Sequence, residues 1–114
     1  MVHTIQIQTL GAQGDVLFRR VHTIPAAARQ QTRNGPLIVA HSETGHHHTI
    51  EAEGVIHFEV SDPLICYLRV DADHADVVHH RPYDTHATLR LPTGNWEVRR
   101  QREHTPEGWQ RVED

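Results

Sequence analysis

The segment richest in reactive side chains is HSETGHHHTIEAEG, residues 41–54, which contains four histidines and three glutamates. Side chains alternate between the two faces of a β-strand, so His46 and His48 would share one face with Ile50 while His47 points the other way. Imidazole nitrogens are common ligands of zinc, iron, copper, nickel and manganese. The spacing therefore predicts that His46 and His48 bind one divalent transition metal.

Further potential ligands lie in VVHHRPYDTH, residues 77–86. We expect His79 and His86 to complete the site, with His80 and His41 as alternatives, and the sequence leaves the choice between His79 and His80 open. Nitrogen and oxygen donors of this kind suit the same set of transition metals.

The same residues also suggest a chemistry. A metal ion with an open coordination position can activate water or polarise a substrate. Glu43 and Asp84 are the first candidates for a general base in such a reaction. The sequence identifies no small-molecule substrate, and it does not decide whether the protein is an enzyme.

The elements that must position these residues have the character of strands. Short apolar or alternating runs separated by turn residues predict an all-β fold, a small barrel or sandwich formed by residues 1–114 as one domain, with 105–114 as a flexible tail. The predicted strands cover residues 2–10, 15–24, 36–41, 46–51, 54–60, 63–70, 87–91 and 95–103. Only residues 24–33 are compatible with a helical turn, because Pro25 is tolerated at a first helical position.

A predicted hairpin determines which side chains lie opposite the first histidines. If residues 46–51 pair with 55–60, His48 faces Phe58 and Ile50 faces Ile56 on the buried face. Farther along the chain, Pro92–Asn95 reads as a turn between two strands.

Composition excludes several classes of protein. The 114 residues carry a net charge of −4 with histidine neutral and include no basic stretch, so we expect no nucleic-acid partner. No segment has the length and apolarity of a membrane span or a signal peptide, which predicts a cytoplasmic protein without a membrane partner. Cys66 is the one cysteine and lies in an apolar run, where it reads as a buried hydrophobe.

A second class of function competes with metal binding. Many strands in a short chain of only 37% hydrophobic residues favour association into a homo-oligomer. The alternative function is therefore a structural or assembly protein whose histidines lie at a subunit interface.

Two families resemble this chain. GHHHTIEAEG contains the H-x-H of the cupin superfamily as His46 and His48, and LPTGNWEV holds part of the second cupin motif; this looser resemblance implies a small barrel. TGHHHTI, VVHHRPYDTH and LPTGNWEVRRQRE resemble more closely an uncharacterised family of small bacterial and phage-associated β proteins. This second resemblance covers residues 36–114, supports the histidine ligands and implies no reaction.

Overall fold

The computed structural model describes residues 4–32, 35–40, 48–50, 53–79, 87–100, 102–105 and 108–111, with backbone alone for Ala40 and for the last two ranges. Strands account for most of this part of the chain. They are β1 (Thr4–Gln6), β2 (Leu10–Gln13), β3 (Val16–Val21), β4 (Arg29–Gln31), β5 (Leu37–Ala40), β6 (His48–Ile50), β7 (Val55–Glu59), β8 (Ile65–His79), β9 (Thr88–Arg100), β10 (Arg102–Thr105) and β11 (Gly108–Arg111).

Two long antiparallel strands, β8 and β9, form the centre of the main sheet. The other side of β8 pairs with β7 along its first half and with β6 along its second half. The other side of β9 pairs with β3 and, in parallel, with β1. The strands β2, β4 and β5 are each attached one step further out, to β3, β7 and β6.

Both long strands bend at the same point, where their pairing shifts between Val70 and His74. Before the bend the even-numbered residues of β8 are buried, and after it the odd-numbered residues are buried, from Ala75 to His79. The extra residues of β8 are held by the Gly54 carbonyl oxygen, which accepts from the amides of Asp71 and Ala72 at 2.7 and 3.3 Å. Gly54 has a φ of 76°, a conformation that favours glycine.

The core lies on one face of this sheet. Trp96, Phe18 and Leu68 are fully buried large side chains contributed by β9, β3 and β8. Burial of such side chains stabilises the fold by about 1.5–3 kcal/mol each. The Arg20 guanidinium lies 4.9 Å from the Trp96 ring and donates to the backbone carbonyl oxygens of Gln8 and Thr93, so it joins three parts of the chain.

The all-β prediction is confirmed, and the described strands form an open sheet with β2 and β5 at the ends of its main path. Residues 24–32, the described part of the segment that was compatible with a helical turn, contain no helix. Instead, the Ala28 amide donates to the Pro25 carbonyl oxygen in a turn of the chain that leads into β4. β11 lies in the segment 105–114 that was predicted as a tail, and it forms a separate antiparallel pair with β10.

Two local predictions of pairing were wrong. β6 and β7 do not form a hairpin, because each pairs with a different half of β8. Pro92–Asn95 is not a turn between strands, since β9 continues through it and opposes the bend in β8. In both cases a long strand pair satisfies the backbone hydrogen bonds that the shorter elements had been expected to make.

A charged cluster stabilises the face of the sheet opposite the core. Glu97 is 4% exposed and accepts hydrogen bonds from Arg19, Arg99 and the Tyr67 hydroxyl at 3.1, 3.3 and 3.3 Å. Burial alone would raise the pKa of Glu97, but the hydrogen bonds and charges of the two arginines outweigh it and lower the pKa.

We predict that Glu97→Gln destabilises the protein mainly above the ordinary pKa of glutamate. Because the folded-state pKa of Glu97 is lowered, its contribution is present above the unfolded-state pKa and is lost as the pH falls through the folded-state value. Urea unfolding from about pH 7 to about pH 3 measures this. The difference in the free energy of unfolding between wild type and variant should shrink on acidification, and a difference independent of pH would contradict the prediction.

Candidate functional site

A pair of buried histidines lies at one end of the bent sheet. His48 of β6 and His79 of β8 are directly opposite each other in the strand register. Their rings are stacked, with centroids 4.1 Å apart and an interplanar angle of 5°. The exposed fractions are 0% for His48 and 2% for His79, so both imidazoles lie within the protein interior.

The turn between β2 and β3 supplies the polar neighbours of this pair. Gln13 and Val16 are paired, so Gly14 and Asp15 form a two-residue turn, and Gly14 has a φ of 59°. The turn brings Gln13 and Asp15, which are 2% and 5% exposed, into the interior.

Both the nitrogen and the oxygen of the Gln13 side-chain amide make hydrogen bonds. Its side-chain nitrogen donates to the carbonyl oxygens of Val77 and Ala87 at 2.9 and 2.8 Å. Its side-chain oxygen lies 2.8 Å from Nδ1 of His48. These three hydrogen bonds offset the free-energy cost of removing the amide from water. They also tie the β2–β3 turn to β8, to β6 and to the start of β9.

Asp15 places a carboxylate beside the other nitrogen of the same ring. Its Oδ1 atom lies 3.9 Å from Nε2 of His48. This separation is longer than a hydrogen bond, and it places a carboxylate oxygen on the Nε2 side of the ring.

The structure brings together two of the residues predicted as metal ligands, His48 and His79. It buries His48 and Ile50 as expected, but the neighbour of His48 across the strands is His79 and not Phe58. The remaining predicted site residues lie outside the described residues: His41, Glu43, His46, His80, Asp84 and His86.

Sequence reasoning missed Gln13 and Asp15. The stretch GAQGD has the composition of an exposed turn, and nothing local distinguishes a turn that faces water from one that closes over a buried site. A polar residue at an alternating strand position would have been the only signal.

The described residues alone do not complete a metal centre. Among them, no group of three or more histidine, cysteine, aspartate or glutamate side chains is arranged to hold a metal ion. The buried pair therefore offers two nitrogen ligands and a nearby carboxylate, and a full coordination shell would need donors from the adjoining segments 41–47 and 80–86.

The fold and site define a class of protein: an all-β domain with a buried, stacked pair of histidines. Residues 12–101 match a family described as Domain of unknown function (DUF8820), and this chain belongs to that family. No curated protein and no solved structure gives a match. The expectation of an uncharacterised family is thus confirmed. In the described part of the chain, no helix is long and apolar enough to cross a membrane.

Cys66 is separate from this site and has the environment of an unreactive thiol. Burial raises its pKa to about 12, and the charge of Glu59 adds to the effect. Its Sγ atom lies 3.9 Å from the carbonyl oxygen of Val39, among core side chains. The thiolate is the nucleophilic form, so almost none of the reactive species exists near neutral pH.

We predict that Cys66 in the native protein reacts with a chromogenic disulfide reagent far more slowly than free cysteine, and that urea restores a rapid reaction. The time course of absorbance at about pH 8 measures both rates. A native rate equal to that of free cysteine would show that the thiol is accessible and would contradict the assignment.

Proposed function

We propose that this chain is a metal-binding β protein in which His48 and His79 supply two of the ligands. The observation that carries the proposal is the buried, stacked pair of imidazoles on adjacent strands. Two nitrogen ligands of one tetrahedral ion with bonds of about 2.0–2.1 Å lie about 3.3 Å apart. The ring centroids are 4.1 Å apart and the ring planes are almost parallel, so at least one imidazole would have to turn out of the stack to direct its lone pair at a shared ion.

The chain positions of the remaining candidates support the same proposal. His46 precedes His48 by two residues, and His80, Asp84 and His86 follow His79. β6 begins at His48 and β8 ends at His79, so the segments that carry these candidates join the described strands at the buried pair. His46 and His86 remain the predicted completing ligands, with His41 and His80 as alternatives.

The donor chemistry restricts the metal. Imidazole nitrogen and carboxylate oxygen suit zinc, iron, copper, nickel or manganese, whereas soft thiolate chemistry has no place here because Cys66 lies in the core away from the pair. The bound ion would supply Lewis-acid or redox chemistry. Glu43 and Asp84 stay predictions for a general base.

We predict that the untagged protein, purified without added metal, contains close to one transition-metal ion per chain. His48→Ala/His79→Ala should lose this metal because two ligands are removed. His74→Ala is the matched control, since His74 is exposed on the same strand as His79. Elemental analysis by mass spectrometry gives the metal content, and circular dichroism verifies that each variant is folded.

Thermal unfolding provides a second readout for the same variants. A ligand at 100 times its dissociation constant stabilises the native state by about 2.7 kcal/mol. Added zinc or cobalt should therefore raise the Tm of wild type and His74→Ala but not of the double variant. His46→Ala and His86→Ala should show intermediate losses. Wild-type protein that is metal-free and gains no stability from any of these ions would overturn the proposal.

A second candidate function, a homo-oligomeric assembly protein, is favoured by the ends of the sheet. Leu10 on β2 is 57% exposed and Ile38 on β5 is 38% exposed, and both strands end the main path of the sheet. Apolar side chains on unpaired edges are typical sites of association. Since His48 and His79 are buried within one chain, this assembly would use the edges and not the histidine pair.

We predict a mass above 13.1 kDa by light scattering, and a shift towards that value in Leu10→Glu, because a charge at the edge opposes pairing. Thr23→Glu adds the same charge in an exposed loop and should leave the mass unchanged. A wild-type chain that is monomeric at the concentrations used for the other measurements would exclude the second candidate.

A further inference from the structure

The orientation of the Gln13 side chain is fixed by its backbone partners. Both Val77 and Ala87 present carbonyl oxygens, which only accept hydrogen bonds, at 2.9 and 2.8 Å from the same side-chain atom. That atom must therefore be the amide nitrogen. The amide oxygen is the atom that faces His48, at 2.8 Å from Nδ1.

The hydrogen-bond direction at His48 follows from this orientation. An amide oxygen accepts and does not donate, so Nδ1 of His48 must carry the hydrogen. A neutral imidazole has one N–H group, and its other nitrogen holds a lone pair. In neutral His48 the lone pair is consequently on Nε2, the nitrogen that lies 3.9 Å from the Asp15 carboxylate.

This arrangement is the one that metal-binding histidines use. Such a histidine commonly donates its other N–H to an oxygen atom, which fixes both the tautomer and the plane of the ring. A nearby carboxylate further favours a cation on the lone-pair side. Gln13 is itself anchored to β8 and to the residue before β9, so the position of the ring depends on the long strand pair.

We propose that Gln13 is the positioning residue of this site: it holds His48 as the Nδ1–H tautomer, so that Nε2, on the side of Asp15, is the nitrogen that binds the cation. The assignment of the tautomer stands on the hydrogen bonds alone, whereas its role in metal binding rests on the function proposed above. Gln13 and Asp15 lie in the β2–β3 hairpin and in none of the histidine motifs.

The tautomer is measured directly in the metal-free protein by long-range ¹H–¹⁵N correlation NMR of the histidine rings, recorded at about pH 8 where free imidazole is neutral. Wild type should show the proton of His48 on Nδ1. Gln13→Glu keeps the accepting oxygen and, as a protonated carboxyl group, can donate to one of the two carbonyl oxygens of Val77 and Ala87, so it should keep this tautomer. Gln13→Met removes the acceptor and should shift His48 towards the Nε2–H form.

Metal affinity is then measured by cobalt titration, followed by absorption spectroscopy. Removing an outer-shell partner of a ligating histidine costs about 10–100-fold in affinity. We expect that loss in Gln13→Met and a smaller one in Gln13→Glu. Gln31→Met is the matched control: Gln31 lies on β4, bonds to the carbonyl oxygen of Arg29, and should leave tautomer and affinity unchanged.

The outcomes separate the two proposals. A proton on Nε2 of His48 in wild type overturns the role of Gln13, whatever the metal does. Nδ1–H in wild type without any metal binding supports the assignment by Gln13 and overturns the proposed function alone. Unchanged cobalt affinity in folded Gln13→Met, alongside metal binding by wild type, overturns the positioning role. If Gln13→Met does not fold, wild type and Gln13→Glu still decide the tautomer.

Discussion

The antiparallel pairing of β8 with β9 is the constraint on which the rest of the structure depends. These two strands contact each other along most of their length, and each of the strands β1, β3, β6 and β7 is hydrogen-bonded to one of them. Many of the buried core residues, among them Leu68, Val77 and Trp96, belong to this pair. The site depends on the same pair, because His79 ends β8 and the two carbonyl oxygens that hold Gln13 lie on β8 and directly before β9.

This dependence explains why a buried polar site is tolerated in a small domain. Uncompensated burial of a polar group costs about 1–3 kcal/mol, so a buried amide, carboxylate and two imidazoles would be a large burden if they lacked partners. Here the amide of Gln13 is satisfied by main-chain atoms of the most extensively paired part of the sheet and by His48. Gln13, and through it Nδ1 of His48, is thus held by main-chain atoms of β8 and of the residue before β9.

The sequence predicted local features well and distant contacts poorly. The all-β class follows from alternating and β-branched segments, and the burial of His48 together with Ile50 follows from their i, i+2 spacing on one strand face. The partner of His48 could not be predicted in this way. The pairing of strands that are more than twenty residues apart in the chain depends on the register of the whole sheet. A turn motif such as Pro92–Asn95 has the same composition whether the chain reverses its direction or only bends there.

The contribution of the β2–β3 turn to the site could not be predicted from the sequence for a related reason. A polar hairpin turn is normally exposed, and only the closure of that turn over the ends of β6 and β8 makes Gln13 and Asp15 interior residues. Interior polar residues of this kind are visible from structure and not from composition.

The bend in β8 and β9 has a consequence for the position of His79. At the bend, both strands exchange the set of alternate residues that faces the core, so the numbering of buried positions differs on its two sides. Asp71–Asp73 are three residues of β8 that lie opposite the single residue Thr93 of β9. The inward position of His79 therefore depends on how the two extra residues of β8 are accommodated eight to six positions before it.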